Sequence, residues 1–113
     1  MKVFISQPMN GLSDEEILRV RDEAVEEIKT LYSFFDKNNQ LEIVSTIDAD
    51  KHEILPKNAP RIWWLGRAIQ HLADVDVVFF CRGWENARGC RVEKCVATEY
   101  NIGTYYQGEK NKK

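Results

Sequence analysis

One glutamate in this chain, Glu93, has sequence neighbours that could give its carboxylate a chemical role. It follows the apolar segment 77–81 and a polar turn that contains glycine, and it lies about one turn inside the next predicted helix. In open α/β sheets, ligands bind at the carboxyl ends of the strands, where helix N-termini and free backbone amides converge. A helical side chain leans toward the N-terminus of its helix, so the carboxylate is expected to point at that turn. There it could attack an electrophilic carbon or transfer a proton, although most glutamates on helices are solvated surface residues.

Two loops supply candidates for binding a ligand beside Glu93. A guanidinium can hold phosphate through two hydrogen bonds, and Arg88 is favoured over Arg82 because it lies near the helix start; simple surface pairing with Glu85 is the alternative. Trp84 could stack on a base or could anchor its turn against the core. Gly89 leaves space between Glu93 and the turn. The candidates are Ser6, Gln7, Met9, Asn10 and Gly11 in the first loop, and Gly83, Trp84, Glu85, Asn86, Arg88 and Gly89 in the second.

These loops meet only if a parallel sheet brings their strands together. Hydrophobic periodicity predicts strands at 3–5, 41–44, 75–81 and 103–106, alternating with helices that begin near Ser13, Arg61 and Ala87. The first helix has Ser13 as N-cap with Glu16 as its capping-box partner, and its apolar stripe runs on to Phe35. In the third helix, Val92 and Val96 are expected to face the sheet.

Right-handed crossovers favour the strand order 2-1-3-4 in this alternating chain. The fold class is therefore α/β, a three-layer, flavodoxin-like or Rossmann-like parallel sheet of about four strands with helices on both faces. The first and third strands are then neighbours, so the loop 7–11 lies beside the loop 82–89. The long connection 47–60 has little periodicity and could be a flap over the site.

Composition narrows the class of protein. The 113 residues suit one domain, 1–108, followed by a charged tail at 109–113. Sixteen basic and 18 acidic residues leave a net charge of −2, which makes no electrostatic case for nucleic acid. There is no apolar run long enough for a membrane span. Three cysteines without a C-x-x-C pair fit reduced thiols and a cytoplasmic protein better than disulfides or a zinc site.

Two motifs carry a resemblance to a known family. The segments Phe4-Ile5-Ser6-Gln7-Pro8-Met9-Asn10-Gly11-Leu12 and Gly83-Trp84-Glu85-Asn86-Ala87-Arg88-Gly89-Cys90-Arg91-Val92-Glu93 resemble the nucleoside 2-deoxyribosyltransferase-like group, more narrowly its small phage and bacterial domains of unknown function. The resemblance implies a glutamate nucleophile, Glu93, that attacks the anomeric carbon of a nucleoside or nucleoside monophosphate. It implies no cofactor and no metal, and a homo-oligomer in which a neighbour completes the site.

The chain departs from this family at two positions. Catalytic members usually have a tyrosine in or just after the first strand, where this chain has Phe4 and Ile5. They also use an aspartate ahead of the third strand, and there is none around Gly66 and Arg67. Asp74 and Asp76 lie closer to that strand and are typical of a turn between helix and strand. The alternative to an enzyme is therefore a non-catalytic nucleotide-binding or sensing module of the same fold.

Overall fold

The computed structural model describes residues 1–45 and 60–108 as a four-stranded parallel sheet with helices on both faces. The strands are β1 (Lys2–Ser6), β2 (Glu42–Val44), β3 (Val77–Phe80) and β4 (Gly103–Tyr106). The helices are α1 (Asp14–Leu31), the short α2 (Ser33–Lys37), α3 (Pro60–His71) and α4 (Arg88–Glu99). The predicted connection 47–60, apart from Pro60, and the tail 109–113 lie outside the described residues.

The strand order is β2-β1-β3-β4, and every neighbouring pair is parallel. This confirms the predicted fold class and order. Val3 pairs with Val77 at one end of the β1–β3 ladder and Ser6 with Phe80 at the other. The carboxyl ends of these two strands therefore lie side by side, as the site prediction requires.

Each face of the sheet packs on its own hydrophobic cluster, because alternate residues of a strand point to opposite faces. On the α1 side, Ile5 and Phe79 pack with Ala24 and Ile28. On the other side, alternate strand residues pack with helices α3 and α4 through a second cluster, whose buried members are Phe4, Ala68, Leu72, Val78, Phe80 and Ala97. The third strand is buried on both faces, which explains its continuous apolar sequence.

Helix α1 begins as its sequence predicts. The Ser13 hydroxyl accepts from the Glu16 backbone N–H at 3.1 Å, and the Glu16 carboxylate accepts from the Ser13 backbone N–H at 2.9 Å. The reciprocal pair satisfies two backbone donors that a helix start would otherwise leave open. The helix ends earlier than its apolar stripe suggested, because Tyr32 leaves the helical conformation with φ −112° and ψ 43° and Phe35 belongs to the separate α2.

The third strand is shorter than predicted and begins at Val77. The two residues ahead of it, Val75 and Asp76, close the connection from α3, and the Asp76 carboxylate accepts the Lys2 backbone N–H at 2.8 Å. Within the described ranges, no helix has both the length and the apolar character that a membrane crossing needs.

Candidate active site at the carboxyl edge of the sheet

The functional candidate Glu93 is buried at the carboxyl edge of the sheet and contacts the end of the first strand. Glu93 is only 7% exposed, and its Oε1 accepts a hydrogen bond from the Ser6 hydroxyl at 2.5 Å. Ser6 is the last residue of β1 and is itself 1% exposed. Glu93 was predicted to point at the turn ahead of its helix, and its hydrogen bond goes instead to Ser6 at the end of β1. Its burial shows that the alternative, a solvated helix-face residue, is wrong.

Burial changes the acidity of this carboxyl group. Desolvation raises the pKa of Glu93 from 4.5 to about 7, while the hydrogen bond from Ser6 acts in the opposite direction by favouring the charged form. At neutral pH both the acid and the carboxylate are therefore populated. A group in that state can act as a nucleophile or can give and take a proton.

The sequence reasoning missed one neighbour of this pair, Cys90. It is buried on the same face of α4 as Glu93, one helical turn earlier. Burial raises the pKa of its thiol to about 11, and a hydrogen bond with Ser6 opposes that shift. Burial likewise raises the pKa of Cys81 to about 12, with the charge of Cys90 as a smaller cause. The spacing of three residues could have predicted that Cys90 and Glu93 share a face.

The two loops predicted to meet do so at Pro8 and Gly83. A Cβ atom on Gly83 would lie 3.7 Å from Pro8 Cγ, and the Cys81 backbone N–H donates to the Ser6 carbonyl at 2.9 Å. Gly83 has φ +86°, which favours glycine because other L-residues rarely adopt it. The β1–β3 pairing thus extends to Cys81, and the two loops lie side by side where they leave the sheet.

The residues of the first loop differ in burial and in hydrogen bonding. Gln7 is buried, and its Nε2 donates to the Ile17 carbonyl at 3.0 Å, so its side chain is tied to α1. Within the described chain, Gln7 Oε1 is buried without a hydrogen-bond partner. Met9, Asn10 and Gly11 are exposed in the turn ahead of α1. Ser6, which precedes these residues at the end of β1, forms the hydrogen bond with Glu93.

Trp84 corresponds to the second of its two predicted roles, an anchor for its turn. It is half-buried and lies 5.1 Å from Phe80 and 5.6 Å from Tyr106 between ring centroids. Phe80 and Tyr106 stack on each other as well, so three aromatic rings form one cluster between β3, β4 and the turn. Part of the indole surface stays open to solvent.

The second loop presents most of its polar side chains to solvent. Glu85, Asn86 and Arg88 are exposed, and the Glu85 carbonyl accepts a hydrogen bond from Arg91 Nη1 at 3.0 Å. Arg88 is the first residue of α4, as its predicted place near the helix start requires. Arg82 lies toward β4, because its guanidinium packs over Gly108.

The buried stripe of α4 differs from the predicted one. Cys90, Glu93 and Ala97 are the buried residues, and Val96 packs beside them only partly buried. The prediction that Val92 and Val96 form the sheet face was therefore wrong for Val92, which is not in either buried cluster. Gly89 is partly buried against Leu65 of α3, from whose Cδ1 an added Cβ would lie 3.9 Å.

A shallow concavity at the opposite, amino edge of the sheet is a weaker candidate. Its walls include Lys2, Glu42 and Asp76, together with Met1, Asn39, Gln40 and Leu41. Lys2 forms exposed ion pairs there, and Asp76 binds backbone, so the charged groups already have structural partners. Asp74 and Asp76 are turn residues, as predicted. Across the described ranges, no group of three or more metal-binding side chains is found.

Comparison with known proteins adds no relative: no protein-family model, no curated protein and no solved structure matches this chain. The likeness to nucleoside 2-deoxyribosyltransferase-like proteins therefore rests on the two sequence motifs. What the site can do rests on the buried pair of Glu93 and Ser6.

Proposed function

We propose that this protein cleaves the N-glycosidic bond of a nucleoside or nucleoside monophosphate and passes the sugar to water or to a second base. The observation that carries the proposal is the Glu93 carboxyl group, which is buried at the junction of the β1 and β3 tips with its Oε1 held by Ser6. A carboxylate in that position can act as a nucleophile toward an anomeric carbon.

The reaction has two balanced steps. In the first, an oxygen of ionised Glu93 forms a bond to the anomeric carbon while the carbon–nitrogen bond breaks; the base leaves with that electron pair and takes up a proton. In the second, water or another base attacks the same carbon, the bond to the Glu93 oxygen breaks, and the free carboxylate returns. The attacking group loses one proton, so no cofactor or redox partner is needed.

The electrostatics of the site support this chemistry. Burial raises the pKa of Glu93 to about 7, because the ionised form has lost most of its water. Cleavage of a glycosidic bond develops positive charge on the sugar ring, in an oxocarbenium-like transition state. That charge would stabilise the desolvated carboxylate more than the neutral ground state does, and interactions of this kind accelerate the chemical step.

The second loop has residues suited to the rest of the substrate. Arg88 is exposed at the first position of α4, where its guanidinium and the backbone amides of the helix start can share a phosphate. Trp84 keeps part of its ring open while Phe80 and Tyr106 hold the other part, so a base could stack there. Phosphate binding by Arg88 and base stacking on Trp84 are both part of the proposal.

To test the proposal, the protein is incubated with nucleosides and their 5′-monophosphates, in ribose and deoxyribose forms. The release of free base is followed by chromatography. Glu93→Gln keeps the shape of the side chain and removes the nucleophile, so base release should fall by roughly a thousandfold or more. Glu99→Gln is the matched control, since Glu99 is an exposed glutamate at the end of the same helix, and it should keep the full rate.

Two other results would contradict the proposal. Base release that survives in Glu93→Gln would exclude this residue as nucleophile. Thermal stabilisation by a 5′-monophosphate without any base release would instead support the non-catalytic nucleotide-binding module, because a ligand that binds only the folded state raises the unfolding temperature.

A further inference from the structure

We propose that Ser6 is a positioning residue of this site: its hydroxyl holds one oxygen of the Glu93 carboxylate and thereby directs the other oxygen toward the substrate. The inference rests on the proposed function for its catalytic meaning. The hydrogen bond itself is a property of the free protein and can be tested without a substrate.

The geometry of the hydrogen bond is the main support. Ser6 Oγ lies 2.5 Å from Glu93 Oε1, and both residues are buried. A hydrogen bond from a hydroxyl to an ionised carboxylate is roughly twice as strong as a bond between neutral groups. Because Oε1 takes the bond from Ser6, Oε2 is the oxygen assigned to the attack.

The fold fixes the position of Ser6. It ends β1, pairs with Phe80 in the β1–β3 ladder, and its carbonyl accepts the Cys81 backbone N–H at 2.9 Å. The serine therefore lies on an inner, buried strand of the sheet, whereas Glu93 belongs to a helix. A bond between them couples the orientation of the helical side chain to the rigid strand, which is how supporting contacts hold a reactive group within a narrow range of positions.

The same bond sets the charge of the carboxyl group. Burial favours the neutral acid, and the hydrogen bond from Ser6 favours the carboxylate, which is the form that can attack carbon. Loss of the hydroxyl should therefore have two effects: fewer molecules with ionised Glu93 at neutral pH, and a less well oriented carboxylate in those that have it.

The first experiment measures Glu93 directly. Carbon-13 labelling of glutamate carboxyl groups gives an NMR titration in which the Glu93 signal is identified by its loss in Glu93→Gln. Hydrogen bonds to charged groups contribute enough that Ser6→Ala should raise the pKa of Glu93 by about one unit or more. Ser6→Thr keeps a hydroxyl and should keep the wild-type titration. Ser6→Cys, nearly equal in volume with a weak donor, should shift in the same direction as Ser6→Ala and covers the case in which alanine does not fold.

The second experiment follows base release against pH. Activity of the wild type should rise as Glu93 ionises, and in Ser6→Ala that rise should move to higher pH by the shift seen in NMR. Loss of orientation should appear as a lower rate that high pH does not restore, whereas Ser6→Thr should regain both properties. A purely structural role would lower the amount of folded protein and leave the pH profile in place.

The outcomes separate this inference from the proposed function. An unchanged Glu93 titration and pH profile in Ser6→Ala and Ser6→Cys would overturn the role of Ser6, even if the wild type releases base. A wild type that releases no base would end the glycosidic proposal and with it the catalytic role of Ser6. The NMR titration would then still decide whether the hydroxyl holds the carboxylate.

Discussion

The two edges of the sheet carry carboxyl groups in opposite environments. At the amino edge, Asp74 Oδ2 lies 2.7 Å from Lys2 Nζ, and two thirds of its side chain, 67%, is exposed. The hydrogen bond from Lys2 lowers the pKa of Asp74. At the carboxyl edge, Glu93 is buried, its hydrogen-bond partner is the neutral hydroxyl of Ser6, and burial raises its pKa to about 7.

The contrast between the two edges is the reason for proposing that the site lies at the carboxyl edge. A solvated ion pair at the start of a strand changes the free energy of unfolding little, because water already stabilises both charges. A buried carboxyl group without full compensation destabilises the fold whenever it is ionised. Such groups are found most often at functional sites. Pairing with Lys2 thus explains Asp74, whereas the ionised form of Glu93 would gain its compensation from the positive charge of the proposed transition state.

The pH dependence of the free energy of unfolding is the strongest test of this contrast between the two edges. The folded-state pKa of Glu93 is raised from 4.5 to about 7, so between these values the folded protein binds more protons than the unfolded chain. Its contribution to stability is therefore present at low pH and is lost as pH rises from about 5 to 7, by about 3 kcal/mol in all.

Urea unfolding at pH 5 and at pH 8 measures this loss. Glu93→Gln cannot ionise, so its stability relative to wild type should improve by about 2.5 kcal/mol between the two pH values. Glu99→Gln, on the exposed end of α4, should follow the wild type at both. If wild type and Glu93→Gln keep a constant difference, Glu93 does not titrate in this window and the contrast between the edges fails.

The second prediction concerns the partner of Glu93. Ser6→Ala at pH 8 leaves a buried carboxylate without its donor, so the free energy of unfolding should fall by about 1.5–3 kcal/mol. At pH 5 the carboxyl group is neutral, and the loss should be smaller. Ser33→Ala, at an exposed serine in α2, is the control and should change stability by about 0.5 kcal/mol or less. Equal losses at both pH values would mean that Ser6 acts through packing alone.

The third prediction tests the backbone of the carboxyl edge. Gly83 has φ +86°, so Gly83→Ala should cost about 1–2 kcal/mol in thermal or urea unfolding. Gly66 lies in α3 with nothing within 4 Å of an added Cβ, and Gly66→Ala should stabilise by up to about 1 kcal/mol. A neutral Gly83→Ala would show that the turn beside Pro8 can relax and that its conformation is not required.

Local sequence patterns were sufficient to predict most of the fold. The capping box at Ser13, the strand at 103–106 and the strand order all follow from residue spacing, turn chemistry and right-handed crossovers. The errors lie at the ends of elements and at Val92 of α4, which was predicted to face the sheet. Apolar periodicity continues through Tyr32, where the backbone leaves the helix, and periodicity alone does not report such a break.

The candidate site was predictable only in part. The predicted β1–β3 pairing was enough to place Ser6 near Glu93 at the carboxyl edge of the sheet. The hydrogen bond between them was not predicted, because no local pattern reports a contact between side chains 87 residues apart. The role of Trp84 likewise depends on Tyr106 of β4, a contact across the sheet that no local pattern contains.

The smallest expected change in stability is at the amino edge of the sheet. Asp74→Asn removes the exposed partner of Lys2, and since both groups are solvated, the midpoint of thermal unfolding at pH 7 should hardly move. Because the pKa of Asp74 is lowered from 3.8, its small contribution is present above that value and is lost as pH falls further, the opposite direction to Glu93.

Raising NaCl to about 1 M should screen this ion pair and remove the remaining difference between Asp74→Asn and wild type. Glu42→Gln, whose carboxylate lies 3.9 Å from Lys2 Nζ, should have an even weaker effect. If Asp74→Asn destabilises as much as Ser6→Ala, then charge pairing at the amino edge contributes as much as the buried pair does. Unusual electrostatics would then no longer distinguish the carboxyl edge, and the assignment of function to Glu93 would rest on base release alone.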